Sequence, residues 1–465
     1  MPLDPVKPEL VSGTQDFLPT DALAQQILLN KLQRIYESFG FVPLDTPCLE
    51  KWGVLTQNDP DFNKSIFRAT VVRGAEDRDI AAEELGSADS TLRFDLTVPL
   101  ARVVAAYPNL PRPFKRYQIG RVFRGETPGA GKFREFTQFD FDIVGSTSIL
   151  ADAEIIQAIY ATMAGLGMPR YVIRFNTRKI LNGLAEIVGC KDKAKEFFRV
   201  IDKADKIGMA GIITDLKRQP DNQYDENALA MNDAQVAIVE QFLQLRGQET
   251  AQILEKLKGI VASWANESAS LGLQELESLT ELLGHIKMPQ ECWAVDLSVA
   301  RGLDYYNGPV FETNLLDLPK LGSVLSGGRF DGLVNRFMPG SNIPGVGASV
   351  GLERMLIGLQ HYKLIPESKT TTQVLVTVFN AELQNESFVL ANELREAGIN
   401  TEVYLGNDSM LRAQFTYAAK QDIPFTVVIG PQEAAQGMVQ LKDMRSRLQK
   451  NISRADCVKE ILSAL

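Results

Sequence analysis

The chain has 465 residues, of which 45% are hydrophobic and 23% are charged, and its formal net charge is −9 at pH 7. Single hydrophobic cores rarely grow past roughly 250–300 residues, so we expect two or three domains. No apolar run approaches the ~18 residues that a transmembrane helix needs, so we expect no membrane span. The N-terminal residues show neither a secretory signal nor a transit peptide, which predicts a cytoplasmic location.

The cysteines and histidines disfavour several kinds of site. The 4 cysteines are scattered without a Cys-x-x-Cys pair, which argues against a disulfide framework and a Cys-ligated zinc. The 2 histidines, His285 and His361, lie beside no candidate nucleophile or metal-ligand cluster. A Ser-His-Asp triad and an HExxH zinc site are therefore disfavoured, and we assign no residue to a metal held by the protein.

In chain order, the first predicted element is a helix between Asp21 and Phe39, where apolar residues recur at helical spacing before Gly40. Residues 92–104 predict a short extended segment that leads into a helix. Strands are predicted from alternating or β-branched residues at 114–124, 136–144, 171–176 and 309–315. These elements together predict an antiparallel sheet flanked by helices.

Two changes in pattern divide the chain into domains. Residues from about 185 to 290 carry long charged helical stretches and few strand signals. After Lys369, strands alternate with helices, which is typical of a small α/β domain with a largely parallel sheet. We predict a main domain formed by residues 1–184 together with 290–365. A helical insertion is predicted over 185–289, and a C-terminal α/β domain over 370–465.

Basic residues cluster in one segment despite the negative net charge. Between residues 112 and 134 the single acid is Glu126, and the basic residues are Arg112, Lys115, Arg116, Arg121, Arg124, Lys132 and Arg134. A local basic stripe can bind nucleic acid even on an acidic protein. The alternative is a flexible hairpin tip whose charges serve no ligand.

The two strands that flank this segment have an apolar and a polar face. A period of two places aromatic and aliphatic residues on one face: Tyr117, Ile119, Phe123, Phe139, Phe141 and Ile143. The other face carries the polar set Arg124, Glu126, Gln138, Asp140 and Asp142. Arg121 falls on the apolar side, which indicates either a bulge or a separate role for its side chain. The polar face is either solvated or a binding site for a polar ligand.

Two nucleotide-binding motifs are disfavoured. The stretch GETPGAGK differs from a P-loop, which has Gly at the position of Glu126, Ser or Thr at that of Phe133, and a helix next. The stretch GVGASVGLERML (345–356) predicts a glycine-rich strand that enters a helix. Its G-x-G-x-x-x-G spacing, without an acid about 20 residues later, disfavours a Rossmann fold.

Motifs along nearly the whole chain form a recognisable set. They are GTQDFLP (13–19), FGFVPLDTPCLE (39–50), TLRFDLTVPLAR (91–102), FRGETPGAGKFREF (123–136), QFDFDIVG (138–145), RGLDYYNGPVFE (301–312), GGRFDGLV (327–334) and GLERML (351–356). This set resembles the class II aminoacyl-tRNA synthetases, specifically the histidyl-tRNA synthetase family. The resemblance implies an α+β fold: an antiparallel sheet flanked by helices, a helical insertion and a C-terminal α/β domain of the anticodon-binding type.

The resemblance also implies a reaction. Histidine and ATP form histidyl-adenylate, and the histidyl group then passes to the terminal adenosine of tRNA(His). A carboxylate is already ionised at pH 7, so its attack on the α-phosphate needs positioning and charge stabilisation, with no general base. By resemblance, Arg124 and Arg301 are the catalytic arginines. Arg124, Glu126 and Arg354 match ATP-binding positions, with Mg²⁺ bridging the leaving pyrophosphate.

The same resemblance implies a pocket for histidine. Its members match positions that bind the ammonium group or the imidazole ring: Asp95, Thr97 and Gln138 for the ammonium, Asp142 and Tyr306 for the ring, and Tyr305 beside them. The strand faces agree with this assignment, because they place Gln138 and Asp142 on the face of Arg124. Site groups matched to the substrate's N–H groups can reject analogues that lack them by ~10⁴-fold.

Further expectations concern the partners. Lys132 and Arg134 match positions that contact the acceptor end of tRNA, although a solvated loop tip explains them nearly as well. The motif FGFVPLDTPCLE implies a homodimer, as in other class II synthetases. Phe330 departs from the family, which usually has Tyr there and thus a hydroxyl that could contact the substrate.

Other functions remain as alternatives. The nearest is the synthetase-like regulatory subunit of ATP phosphoribosyltransferase, which usually lacks the C-terminal module and loses motif arginines. Here Arg124, Arg301, Arg354 and the module are present. A class II enzyme for a different amino acid and an RNA-binding protein with degenerate catalysis are further alternatives, and RGLDYYNGPVFE argues against the former.

Overall fold

The computed structural model describes residues 6–56, 66–70, 90–129, 131–221, 225, 227–300 and 305–465. The chain forms two compact units, one of residues 1–15 with 28–364 and one of residues 16–27 with 365–465. Within the described ranges, no helix combines the length and the apolar character that crossing a membrane requires. The division of residues 1–365 into a main domain and an insertion stays a prediction.

The described residues of the larger unit form two sheets. Its strands are β1 (Val42–Pro43), β2 (Leu49–Lys51), β3 (Arg68–Ala69), β4 (Ser90–Leu92), β5 (Phe114–Phe123), β6 (Glu135–Val144), β7 (Tyr171–Thr177), β8 (Trp293–Val295), β9 (Pro309–Leu315), β10 (Ser323–Arg329) and β11 (Gly345–Gly351). The main sheet has the order β1-β5-β6-β11-β10-β9-β7-β8, and a small sheet has the order β2-β4-β3. The inner strands of the main sheet pair antiparallel, whereas β1 and β8 at its edges pair parallel.

Helices flank these sheets and fill the region between β7 and β8. They are α1 (Pro19–Ser38), α2 (Trp52–Thr56), α3 (Thr97–Ala106), α4 (Ile149–Gly165), α5 (Arg178–Ile187), α6 (Ala194–Ile201), α7 (Ala204–Lys217), α8 (Asp233–Leu243), α9 (Thr250–Trp264), α10 (Glu267–His285) and α11 (Leu352–His361). Side chains cap several of them: the Ser148 hydroxyl accepts from the Leu150 N–H at the start of α4, and Asn232 forms a capping box at α8. The predicted antiparallel sheet flanked by helices is confirmed.

The register between β5 and β6 confirms the two predicted faces. Tyr117 pairs with Phe141 in an unbroken antiparallel register. The apolar face is covered by α1, whose Tyr36 ring stacks 4.2 Å from that of Phe141. Arg121 therefore marks no bulge: it pairs with Thr137, and its guanidinium lies 3.4 Å from the carboxylate of Glu135, which is diagonally across on β6.

A buried ion pair joins the main sheet to α4. Arg329, at the end of β10, donates from Nε to Asp152 Oδ1 over 3.0 Å, and its Nη2 contacts the second oxygen. Arg329 is 4% exposed and Asp152 is 0% exposed. The third nitrogen, Nη1, donates to the Ser146 carbonyl over 3.0 Å. The charge of Arg329 is thus compensated inside the protein, where an unpaired charge is costly.

The smaller unit contains a five-stranded sheet within its described residues. Its strands are β12 (Val374–Val376), β13 (Thr401–Val403), β14 (Phe425–Val428), β15 (Met438–Asp443) and β16 (Gln449–Ser453). The helices between and after these strands are α12 (Gln384–Glu396), α13 (Leu411–Lys420), α14 (Pro431–Gln436) and α15 (Cys457–Ala464). The order is β13-β12-β14-β15-β16. Its core includes the fully buried side chains of Val376, Val427 and Ile461.

The expectation of a largely parallel sheet is wrong for half of this domain. β12 is parallel to β13 and β14, but β15 is antiparallel to both β14 and β16. The connection over 444–448 is too short for the crossover that parallel strands require, so it forces a hairpin. The alternation of strands and helices expected after Lys369 did not identify β16, the strand that pairs with β15.

Removing the partner of Arg329 tests the buried ion pair. We expect Asp152→Ala to lower the free energy of unfolding by about 3 kcal/mol, because the buried guanidinium loses its buried carboxylate and keeps only the partly exposed Asp331, 3.0 Å away. Asp317→Ala is the matched control: it removes an exposed ion pair with Arg170 and should cost less than ~1 kcal/mol. Urea denaturation monitored by tryptophan fluorescence measures both, since Trp52, Trp264 and Trp293 all belong to the larger unit. Equal losses in the two variants would contradict the assignment.

Candidate active site

A cavity of about 890 Å³ lies over the polar face of the main sheet. Its lining contains most of the residues predicted for the site: Asp95, Thr97, Glu126, Arg124, Lys132, Gln138, Asp142, Tyr305, Tyr306 and Arg354. Arg134 is not part of this lining. The predicted catalytic residue Arg301 lies outside the described residues. The fold thus gathers side chains from distant motifs around one space.

The main sheet explains this convergence. Gln138 and Asp142 project from β6, and Arg124 follows directly after β5, so they share the polar face. Arg354 lies in the first turn of α11, directly after β11, which pairs with β6. Asp95 lies just before α3, and its Oδ1 accepts from the N–H of Val98 over 3.2 Å.

Backbone carbonyls hold the cavity's two predicted ATP-binding arginines. Arg124 donates from Nε to the Phe94 carbonyl over 3.0 Å, and its guanidinium lies 5.1 Å from the centre of the Phe136 ring. Arg354 donates to the carbonyls of Gly131 and Ser323 over 3.2 and 3.0 Å. These carbonyls help to orient the two guanidinium groups, whose planar shape and permanent positive charge suit anions such as phosphate.

A buried glutamate anchors the helix that carries Arg354. Glu353 is 6% exposed, and its Oε1 accepts from the backbone N–H of Thr137 over 2.8 Å. This bond ties α11 to β6 and therefore fixes the start of the helix against the strand that carries Gln138. Sequence reasoning did not single out Glu353, although it stands beside Arg354 in GLERML.

Buried carboxylates line the other part of the cavity. Asp95, Asp140 and Asp142 are each at most 2% exposed. Burial raises the pKa of Asp95 to about 6 and that of Asp142 to about 7, although Arg116 opposes the rise at Asp142. The hydroxyl of Tyr305 donates to Asp95 Oδ2 over 3.1 Å, which holds this carboxylate in place. These acids form an electronegative region suited to a cation.

Arg116, which sequence reasoning did not connect with the site, lies directly against Asp142, one of the acids that line the cavity. It is fully buried, and its Nη2 donates to the Leu96 carbonyl over 3.0 Å. The same nitrogen lies 2.7 Å from Asp142 Oδ2. The two groups form an ion pair, but their relative orientation does not allow a hydrogen bond. Two signals could have revealed it: period-two spacing puts Arg116 on the face of Arg124, and the hairpin register pairs it with Asp142.

The basic segment at 112–134 does not form one exposed patch. Lys115 pairs with Glu154 over 2.5 Å, and Arg121 and Arg116 pair with acids of β6. Arg134 donates to the carbonyls of Ser12 and Glu126, each over 3.2 Å. Several of these charges therefore have partners brought in by the fold, which a count along the chain cannot detect.

Glycine makes room for the acids at one position of β11. Gly347 is the direct cross-strand neighbour of Asp142, and a Cβ there would overlap the Asp142 carboxylate. The glycine-rich character of this strand, first weighed as a dinucleotide motif, thus reflects close approach of a buried carboxylate. Phe330, which replaces the usual Tyr, also lines the cavity, is 2% exposed and lies 6.2 Å from the Tyr305 ring.

Comparisons with known proteins decide the family. The family model described as histidyl-tRNA synthetase matches residues 13–355, and the model described as an anticodon binding domain matches residues 373–464. The chain belongs to the histidyl-tRNA synthetase family. The resemblance drawn from the motifs is therefore confirmed. The roles of individual residues within the family's pattern stay predictions.

Individual relatives of the histidyl-tRNA synthetase family cover nearly the whole chain. The histidine–tRNA ligase of Helicobacter pylori (strain G27) is 39% identical over 450 residues, 96% of each chain. The crystal structure of histidyl-tRNA synthetase from Nostoc sp. PCC 7120 is 32% identical, with a TM-score of 0.81 over 99% of this chain and 100% of that one. An ATP phosphoribosyltransferase regulatory subunit/histidyl-tRNA synthetase from Bacillus halodurans C is 21% identical, with a TM-score of 0.70 over 89% of this chain and 97% of that one, which shows a shared fold alone.

The raised pKa of Asp142 predicts a pH-dependent stability. Because burial raises its pKa from 3.8 to about 7, the unfolded state releases this proton more easily than the folded state. The stabilisation is fully present below about pH 4 and is lost as the pH rises to about 7. We expect Asp142→Asn to reduce the difference in free energy of unfolding between pH 5 and pH 8, measured by urea denaturation.

The exposed control Asp317→Asn should keep the wild-type difference between the two pH values. An Asp142→Asn protein that loses as much stability as the wild type between pH 5 and pH 8 would refute the assignment.

Proposed function

We propose that this protein ligates histidine to tRNA(His) with ATP, through a histidyl-adenylate intermediate. The observation that carries the proposal is the division of one cavity between guanidinium groups fixed by backbone carbonyls and buried carboxylates. Such a cavity suits a phosphate-bearing ligand beside a small cationic one. Membership of the histidyl-tRNA synthetase family supports the same conclusion.

In the first step, a carboxylate oxygen of histidine attacks the α-phosphorus of ATP. The new P–O bond forms as the bond to pyrophosphate breaks, and negative charge builds on the phosphoryl oxygens. Arg124 stabilises this charge at the α-phosphate, and Arg301 does so from another side by the family's pattern. Arg354 holds the γ-phosphate, and its bonds to Gly131 and Ser323 keep it in that direction. No general base is required, because the carboxylate is already ionised.

Mg²⁺ accompanies ATP in this proposal. Among the described residues, no group of three or more His, Cys, Asp and Glu side chains is arranged to hold a metal ion. Phosphate oxygens and water would therefore supply most ligands, which is the usual arrangement for Mg²⁺, with the Glu126 carboxylate in the same cavity. When bound with ATP, the ion would neutralise charge on the pyrophosphate.

The acidic part of the cavity recognises histidine. Asp95, Thr97 and Gln138 accept from the ammonium group, and the amide oxygen of Gln138 is a buried acceptor with no hydrogen bond from any described residue. Tyr305 holds Asp95 through its hydroxyl. Asp142 and Tyr306 bind the ring N–H groups. An analogue without these groups leaves buried acceptors unpaired, which gives strong selection without editing.

Transfer to tRNA uses surfaces outside the amino-acid pocket. We assign Lys132 and Arg134 to the acceptor end; the contacts of Arg134 with Ser12 and Glu126 also brace the loop itself. The match of residues 373–464 to an anticodon-binding domain supports a role for the smaller unit in binding tRNA. A homodimer and a cytoplasmic location stay predictions from the sequence.

Histidine-dependent ATP–pyrophosphate exchange tests the first step. We expect exchange with histidine alone among the twenty amino acids, and a loss on the order of 10³-fold in Arg124→Ala, because a fixed donor to the transition-state charge is removed. We expect a loss of several orders of magnitude in Arg301→Ala. Arg170→Ala, which removes an exposed arginine, is the control with wild-type exchange.

The failure of this assay would be informative in two ways. Exchange with no amino acid would favour the regulatory subunit of ATP phosphoribosyltransferase, and exchange with a different amino acid would favour another class II specificity. Circular dichroism of each variant checks that the fold is retained.

The salt dependence of charging tests the tRNA contacts. We expect tRNA(His) binding to weaken steeply with added salt, because contacts to phosphates release counterions. The logarithm of the affinity falls as the logarithm of the salt concentration rises. Lys132→Ala should make this fall less steep by about 1 in slope, the change expected for one lost phosphate contact. Filter binding at several salt concentrations measures the slope. Binding that is insensitive to salt would contradict the prediction.

A further inference from the structure

The orientation of the Gln138 amide is set by neighbours that have no role in the family pattern described above. We infer that Ser349 and Asp140 are positioning residues that turn the amide oxygen of Gln138 toward the ammonium group of histidine. The inference rests on the proposed function, since it concerns how the same pocket selects its amino acid. It adds a hydrogen-bond relay behind the residues that touch the substrate.

The relay crosses from β6 to β11. Gln138 and Asp140 are two positions apart on β6, so they share its polar face. Ser349 is the direct cross-strand neighbour of Asp140. The amide Nε2 of Gln138 donates to Ser349 Oγ over 2.7 Å. Burial raises the pKa of the Asp140 carboxyl, and the Arg116 guanidinium and the facing Ser349 hydroxyl oppose this rise, so Ser349 lies against both residues of β6.

The chemistry of a hydroxyl makes the relay directional. Serine has one proton to donate and two lone pairs that accept. Asp140 is 2% exposed; burial raises the pKa of its carboxyl, and the guanidinium of Arg116 opposes this rise. In either charge state the carboxyl keeps an oxygen that accepts. A Ser349 hydroxyl that directs its proton toward the facing Asp140 carboxyl keeps its lone pairs for the N–H of Gln138, whose Nε2 lies 2.7 Å from Ser349 Oγ.

This direction decides which end of the amide faces the substrate. With Nε2 committed to Ser349, the opposite end of the Gln138 amide is Oε1, which is buried and accepts no hydrogen bond from the described residues. Gln138 lines the cavity together with Asp95 and Thr97, the other residues assigned to the ammonium. The reversed amide would present N–H donors to a group that itself only donates. The relay thus keeps an acceptor where the ammonium binds.

Two truncated ligands separate this role from a general structural one. Histidinol keeps the ammonium and imidazole groups but lacks the carboxylate, whereas 3-(imidazol-4-yl)propanoate lacks the ammonium. We expect Ser349→Ala to weaken histidinol binding on the order of tenfold, the size of one hydrogen bond to a charged group. Binding of the propanoate should change by less than about twofold. Isothermal titration calorimetry measures both affinities.

Steady-state exchange provides a second readout. We expect Ser349→Ala to raise the KM for histidine and to leave the KM for ATP unchanged, because Ser349 acts through Gln138. Ser349→Thr keeps the hydroxyl and should restore histidinol binding. Ser387→Ala is the matched control: it removes a buried serine whose hydroxyl donates to the Thr377 carbonyl over 2.9 Å in the smaller unit.

Each outcome of these experiments has a defined meaning. Equal weakening of both ligands in Ser349→Ala, or no weakening of either, would overturn the relay while histidine-dependent exchange by the wild type upholds the proposed function. A wild-type protein that binds neither ligand and shows no ATP–pyrophosphate exchange would instead contradict the proposed function. If Ser349→Ala fails to fold, Ser349→Cys gives the same test, since a thiol has similar size but is a weaker donor.

Discussion

The antiparallel pairing of β5 with β6 is the constraint on which the rest of the site depends. One face of the pair packs under α1 through Phe141 and Tyr36, and the other carries Gln138 and Asp142 toward the cavity. Because side chains alternate along a strand, a shift of one residue would turn the polar set toward the apolar contact with α1 and the rings toward the cavity. The free-energy cost of placing polar groups against α1 and rings in the cavity fixes the register. The register in turn positions the candidate functional groups.

The pairing of β5 with β6 also brings charged side chains together in a buried position. The polar face holds Asp140 and Asp142 opposite Arg116, all nearly inaccessible to water. Such an arrangement is an expensive way to stabilise a fold, since charges lose hydration on burial and regain it only in part from their partners. It is useful where a zwitterion must be recognised, because electrostatic interactions are stronger in a region of low dielectric. Asp140, Asp142 and Arg116 are therefore candidates for groups arranged around a ligand, and the proposed function assigns Arg124 and Arg354 to its phosphates.

Sequence reasoning succeeded where the signal was local and failed where it depended on pairing. Alternation along β5 and β6 was sufficient to predict the face shared by Arg124, Gln138 and Asp142. The direction of β15 was predicted wrongly, because a strand's pattern does not identify its neighbours. Arg116 was counted among charges of a possible nucleic-acid surface, although its partner lies on the next strand. Ser349 carried no signal at all, since its role is defined by the residues across from it.

The amino-acid sequence by itself determined the family. It also determined the hairpin of β5 and β6 with the face on which each side chain lies, and the identity of the residues predicted for the cavity. Motif spacing and side-chain periodicity are properties of the chain, and they can be read before it folds. The tertiary structure alone decided which charges meet, which are buried and which way an amide points. Those properties depend on contacts between residues as distant as Gln138 and Ser349, and they exist only once strands have chosen their neighbours.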